Sequence, residues 1–471
     1  MKKNTVSFLL IIITFYTAIQ TFSSCANIIP PTGGPRDSLP PVLIKAEPKD
    51  SQLNFTAKKI ILTFNEYVQL DPQLSQSIIT SPNPVQQPYA EGHLQTVTIR
   101  LKDTLQPNTT YSINFGNAIK DVNEGNSYKN FTYVFSTGNT IADGSLRGKV
   151  QLAQTGTTDS TLIVILHKNL NDSAIKKIRP DYYTRIDSGG TFAFHYISYG
   201  TYNVFVLPND YTKKYDDSTK MFAFLNTPVT IGSNGGAEPV NLYAYNQYPP
   251  GKEQAAVSNN NSSNKKKDTD TTIKFATNIQ RNEQDLLGDF VISFPKPLAH
   301  FDSSKINLSD TNYHAITGYT ITPDTSYKNF ILKYPWKEDV YFKLIVQKDA
   351  FADSTGNMLA KADTVSFKTS SESEYGSIRL RFANLELSRN PVLQFLQNDK
   401  VVDSVALTGT EFYRKLYKPG DYDIRVLYDA DKNMTWTPGD YNLKKQPEIA
   451  VRIPRKLTIK PNWDNEVNVQ L

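Results

Sequence analysis

Residues 187–206 read DSGGTFAFHYISYGTYNVFV. Asp187, Ser188, Gly189 and Gly190 are a hairpin-turn signal leading into Phe192 and Phe194, and Tyr199 with Gly200 turns the chain into Tyr202, Val204 and Val206. Two short runs with a period of two, bounded by turn residues, are strands; on this pattern His195 faces away from Phe192 and Phe194. The same pattern extends upstream. Ile60, Leu62 and Phe64 alternate, as do Val97, Ile99 and Leu101, then Tyr111, Ile113 and Phe115, then Phe131, Tyr133 and Phe135. Gln106-Pro107-Asn108 and Asn123-Glu124-Gly125-Asn126 punctuate them at the spacing of a β-sandwich. A second unit starts at Gly144, where Leu146 and Val150 alternate against Arg147 and Lys149.

Composition agrees with an all-β chain. Hydrophobic residues make up 39% of the 471, with 27 Tyr, 24 Phe and 27 Pro but only 4 Met, and no long stretch has helical apolar spacing. That length predicts several domains. The net charge of +5 is spread over 51 basic and 46 acidic residues with no basic stripe, which argues against a nucleic-acid partner.

After residue 248 the pattern breaks: Pro249, Pro250 and Gly251 precede VSNNNSSNKKKDTDTT, a composition that cannot bury a core and reads as an exposed linker over 249–272. Lys265, Lys266 and Lys267 within it read as a solvated run. The chain then starts again. Asp289–Phe294 echoes Lys59–Phe64, Tyr341–Val346 echoes Tyr111–Phe115, Asp353–Gly356 echoes Asp121–Gly125, Phe367–Ser370 echoes Phe135–Gly138 and Gly376–Leu380 echoes Gly144–Gly148. These anchors recur in order at an offset of roughly 230 residues, so the repeated unit is a pair of domains. The expected map is a signal peptide (1–24), a Pro/Gly-rich spacer (25–37), module A (38–140), module B (141–248), the linker, module A′ (273–371) and module B′ (372–471). The two halves are expected to fold independently, with the linker as a protease-sensitive hinge.

Three resemblances follow from these residues. Module A, with Asp37-Ser38-Leu39-Pro40-Pro41-Val42, the strand ending Phe64-Asn65-Glu66, Leu105–Tyr111 and the closing Phe131–Gly138, resembles the bacterial Ig-like domain of the SbsA type. A′ keeps the strands but carries Phe294-Pro295-Lys296-Pro297 in place of Phe64-Asn65-Glu66. B and B′, through Gly190–Val206 and Thr410–Val426, are similar to the transthyretin-like sandwich of carboxypeptidase regulatory domains and surface proteins. Both families are mostly non-catalytic. At the N-terminus, Lys2 and Lys3, the apolar run Val6–Ala18 and the small Ser23 and Ser24 before Cys25 resemble a lipoprotein signal peptide with a lipobox, although Phe22 stands where Leu is usual. The resemblance implies that Cys25 becomes the first mature residue, carries a diacylglycerol and further acyl chains such as palmitate, and anchors the protein to a membrane. Ala26 in the next position favours the outer membrane. Cys25 is the only cysteine, so no intramolecular disulfide is expected.

No nucleophile elbow, phosphate loop or zinc helix occurs, and His93, His167, His195, His300 and His314 have no ligand spacing. Tyrosines cluster in B (Tyr182, Tyr183, Tyr196, Tyr199, Tyr202, Tyr211, Tyr215, Tyr243 and Tyr245), either as strand formers that pack or as an exposed platform for sugar rings or a partner protein. One cation loop stands out: Asp429, Asp431 and Asn433 at alternate positions with Asp440 at the twelfth match calcium-loop spacing. Met434 replaces the turn glycine and no helices flank the loop; the alternative is a turn whose Asp and Asn side chains cap their own backbone. No other cofactor is expected.

The expected function is a non-enzymatic, lipid-anchored scaffold of the cell envelope acting through envelope proteins. A glycan-binding outer-membrane lipoprotein is the alternative, marked by coplanar exposed aromatics. A hydrolase or hydrolase subunit is a third reading, marked by a pocket of converging carboxylates or a Ser/His pair.

Overall fold

The computed structural model describes residues 36–72, 78–232, 237–247 and 272–471. The regular structure of the described residues is almost all strand, arranged as tandem β-sandwiches, and these residues divide into two compact units, one up to Ile141 and one from Ala142 onward.

The first unit contains module A. Lys59–Phe64 buries Ile60, Leu62 and Phe64 on one face and pairs with Leu43–Glu47 and Thr96–Arg100, with Tyr89–His93 at the sheet edge. Facing it, Thr110–Gly116 pairs with Ile79–Ser81 and Phe131–Ser136. The inward residues of both sheets form one core, and the Tyr133 hydroxyl donates to the Pro48 carbonyl at 2.9 Å.

The second unit holds B, A′ and B′, each around its own apolar cluster. A′ repeats the strand pairings of A. Phe290–Ser293 lies between Ala276–Thr277 and Asn329–Lys333 as Lys59–Phe64 lies between its neighbours, and Tyr341–Val346 lies between Ile306–Ser309 and Asp363–Thr369. B and B′ repeat each other as closely. Gly144–Leu152 runs antiparallel to Thr191–Ile197 and parallel to Val240–Asn246; Gly376–Ala383 does the same with Glu411–Tyr417 and Asp464–Gln470. Even the register slip is shared, between Gly144 and Leu146 in B and between Gly376 and Ile378 in B′. Tyr202 and Tyr422, each two residues after a glycine, donate their hydroxyls to the carbonyls of Ser198 at 2.7 Å and Lys418 at 3.1 Å. One pairing differs. In B, Met221–Phe224 bonds to Val240–Asn246 and joins the two layers into a single eight-stranded sheet, whereas B′ keeps sheets of three and five strands.

The hairpin turn of residues 187–190 forms as its sequence predicts. Gly190 has φ +83°, and a Cβ there would stand 2.5 Å from the Val150 carbonyl oxygen, so only glycine fits.

Two halves independent of each other are not what the structure contains. B and B′ pack against each other inside one unit. The linker lies outside the described residues except for Thr272.

Candidate functional site

The segment Asp429–Glu448 connects the B′ strands Gly420–Tyr428 and Ile449–Arg452. It is shaped from within by carboxylates. Asp429, 1% exposed, accepts the amides of Asn433 at 3.2 Å and Met434 at 2.7 Å. Asp431 accepts the Thr437 hydroxyl at 2.7 Å, and this bond leads in holding its carboxyl below the usual range. Glu448, 5% exposed, reaches back to accept the amides of Ala430 at 2.7 Å and Thr437 at 2.9 Å, while its carbonyl takes the Trp436 indole N–H at 2.7 Å. Burial pushes the Glu448 carboxyl upward against the pull of those amides.

Carboxylate oxygens of Asp429, Asp431 and Glu448 all lie within 4.8 Å of one another, the only such grouping of three His, Cys, Asp or Glu among the described residues. The membership differs from the sequence expectation. Asp440 turns away to cap Asn442 at 2.8 Å and Leu443 at 3.1 Å, and Asn433 holds Thr435 and Thr437 with its side chain. Glu448 takes the third place. It lies well beyond a twelve-residue loop, so loop spacing could not find it; its signal is a lone acid between Pro447 and an apolar strand. The residues present suit a hard cation in donor type, but the oxygens already accept backbone N–H groups, as an Asx-type turn requires.

The outer side of the same segment docks on B. Tyr441, 3% exposed, inserts its ring among Phe205, Phe222 and Phe224, at centroid distances of 5.8, 5.2 and 5.1 Å and near-perpendicular angles that favour aromatic pairs. Its hydroxyl donates to the Asp172 carbonyl at 3.2 Å, and Lys444 pairs with the Asp172 carboxylate at 2.5 Å while lying 3.9 Å from the Tyr441 ring centre. The lysine holds the Asp172 carboxyl low. Gln446 donates to the Phe224 carbonyl at 3.0 Å and the Asn226 side chain at 2.9 Å. Beside this segment the Ala450 amide bonds the Ala153 carbonyl at 2.8 Å, and Arg425, 8% exposed, gives Nη1 to the Gln154 carbonyl at 2.6 Å and Nε to Gln394 at 2.8 Å. Gly439 is required where the segment crosses Tyr245, since a Cβ would stand 2.7 Å from that ring.

The other residues singled out in the sequence are distributed as follows. Cys25 and Lys265–Lys267 lie outside the described residues. His195 is exposed and faces away from the B core as its alternation requires; His93, His300 and His314 are exposed too. His167 is fully buried with no hydrogen-bond partner on either ring nitrogen among the described residues, and burial lowers its pKa. Of the B tyrosines, Tyr182, Tyr183, Tyr202, Tyr215 and Tyr245 are buried, while Tyr196, Tyr199 and Tyr211 are exposed.

Residues 37–137 match the family described as the bacterial Ig-like domain. No curated protein matches the chain significantly. Among solved structures, the chain is similar to BcpA, the major pilin subunit of Bacillus cereus, at 11% identity over 69% of this chain and 98% of that one, with a TM-score of 0.18. The Bacillus anthracis TIE protein is similar at 11% identity over 93% of this chain and 75% of that one, TM-score 0.16. The S-layer protein rSbsC(31-844) is similar at 10% identity over 91% of this chain and 54% of that one, TM-score 0.16. Scores of this size do not define a shared arrangement of domains.

Proposed function

We propose that this chain is a non-enzymatic cell-envelope scaffold, held to the outer membrane by lipid on Cys25, in which the Ig-like modules A and A′ alternate with transthyretin-like modules B and B′ to give reach and contact surface. The observation that carries the scaffold reading is the seam between B and B′. A single connecting segment is stiffened internally by buried carboxylates and spent externally on an aromatic and ionic junction, a use suited to fixing two modules together. The anchor is tested by labelling cells with a palmitate analogue. Label on the wild type and none on Cys25→Ser, with the variant released from membranes or retained as precursor, supports it; label on both, or on neither, refutes it. The scaffold reading predicts that deleting the chain causes an envelope defect and that Tyr441→Ala, which loosens the seam, reproduces it; a wild-type phenotype in either strain would contradict it.

A second reading concerns Asp429, Asp431 and Glu448, whose mutual distances suit a calcium ion. The amide bonds to Asp429 and Glu448 favour a loop closed by its own backbone. Millimolar calcium should then leave the melting temperature of the full chain unchanged; a rise with calcium but not magnesium, lost in Asp429→Ala with Glu448→Ala, would restore the cation.

A further inference from the structure

The duplication supplies an internal control for one charged surface. On the solvent face of B′, Arg379 and Arg381 are neutralised: Arg379 meets Glu411 at 2.8 Å and Glu466 at 3.4 Å, Arg381 meets Glu466 at 3.0 Å, and the Tyr413 ring covers Arg379 at 4.9 Å. The matching cations of B are Arg147 and Lys149, set in the same places by the shared register. Their neighbours have changed. Thr191 stands opposite Lys149 where Glu411 stands opposite Arg381, and Ala193 opposite Arg147 where Tyr413 stands opposite Arg379. On the parallel neighbour, Gly148 aligns with Val240, which places Pro239 beside Arg147 where Glu466 lies beside Arg379. Both carboxylates and the covering ring are therefore missing from B.

The result is an open groove of about 570 Å³, lined by Arg147, Lys149, Thr191, Ala193 and Asn241, with Arg185 brought in from the adjacent edge strand. The side chains of Arg147, Lys149 and Arg185 are exposed and make no ion pair or hydrogen bond among the described residues. One carboxylate, Asp187, also lines the groove, but it is committed to the turn by the amides of Gly189 at 2.9 Å and Thr191 at 2.8 Å and by the Thr191 hydroxyl. Two residues apart on a strand, Arg147 and Lys149 repeat at about 6.8 Å, so the array suits an extended ligand with anionic groups spaced along it.

We propose that this face of module B binds an acidic polysaccharide, whose carboxylate or other anionic groups take the places that Glu411 and Glu466 occupy in B′. Positive charge accounts for the anion, and a flat sheet face floored by Gly148 and Ala193, flanked by the small polar Thr191 and Asn241, admits a sugar chain lying along the strands. This site stands apart from the seam and does not depend on the lipid anchor.

The purified full chain is run in native gels containing polygalacturonate, with dextran as the neutral control and anionic phospholipid vesicles in a parallel sedimentation assay. The wild type should be retarded by polygalacturonate and not by dextran, less so as salt rises. Thr191→Glu with Pro239→Glu, which installs the B′ carboxylates without removing a cation, should weaken binding about tenfold or more, as should Arg147→Ser with Lys149→Ser. Circular dichroism melts identify any variant that has lost its fold, and the other pair then decides. Arg379→Ser with Arg381→Ser should bind as the wild type does. Retention of binding in both folded B variants, equal loss in the B′ variant, retardation by dextran, or vesicle binding that responds to the same substitutions would each overturn the proposal, the last in favour of a membrane surface.

Discussion

The Tyr441 ring meets the Phe224 ring nearly edge-on at 5.1 Å, although the whole of module A′ intervenes between them in sequence. The contact belongs to a junction in which one ring fills the aromatic recess, one lysine and one hydroxyl satisfy Asp172, and one glutamine binds the carbonyl of Phe224. Burial raises the tyrosine's pKa, so the hydroxyl stays protonated and able to donate.

Truncating Tyr441 leaves a cavity among three Phe rings. Tyr441→Ala should cost about 3–5 kcal/mol, Tyr441→Phe about 0.5–1.5 kcal/mol and the exposed Lys444→Ala no more than about 1 kcal/mol. Urea unfolding of the full chain checks the order, and Lys444→Ala exceeding Tyr441→Ala would mean that the ion pair, not the ring, holds the seam.

Glu448→Ala removes the acceptor for the amides of Ala430 and Thr437 and should cost about 1–3 kcal/mol, more than Asp440→Ala, whose partners are exposed. Thermal melts of the two variants side by side provide the comparison. Equal losses would remove Glu448 from the centre of the loop.

Gly156 has φ +68°, and a Cβ there would lie 2.7 Å from the Ala450 carbonyl oxygen across the seam; Gly125 has φ +78° with open space around it. Gly125→Ala should cost only the backbone penalty of about 1–2 kcal/mol, whereas Gly156→Ala adds a clash with main chain that cannot swing aside. Chemical denaturation should rank Gly156→Ala as the more damaging change.

What could be read in advance was whatever depends on near neighbours. Alternation placed Ile60, Leu62 and Phe64 in a core, and they are buried; the turn at 187–190 forms with its glycine where φ is positive. The slip at Tyr196, φ +59°, was not legible, because a bulge shifts the alternation from Phe194 to Ile197 without changing residue types. Long-range partners were hidden for another reason: Arg425 with Gln154, and Tyr441 with Asp172, are joined by packing between modules, which leaves no local period. Glu448 is an intermediate case, since the Asp429–Asn433 spacing pointed to the loop but not to the acid that closes it.

Acid should weaken A′ in a defined window. Asp324 and Asp353 are held at about 2, the first chiefly by the Asn329 side chain and the second by the Thr355 hydroxyl. An unfolded Asp titrates near about 3.9, so their stabilisation is complete above that value and is lost as pH falls toward about 2. Melting curves across this window should show a smaller decline in Asp324→Asn with Asp353→Asn than in the wild type; parallel declines would mean that other carboxylates dominate.

The most direct test of the scaffold account is to place a protease site within residues 248–271, cut there, and measure the product by size-exclusion chromatography with light scattering. The seam predicts a nicked protein that elutes as one species with the mass of the uncut chain and separates only with denaturant or in Tyr441→Ala. Two fragments eluting apart at their own masses in native buffer would contradict it.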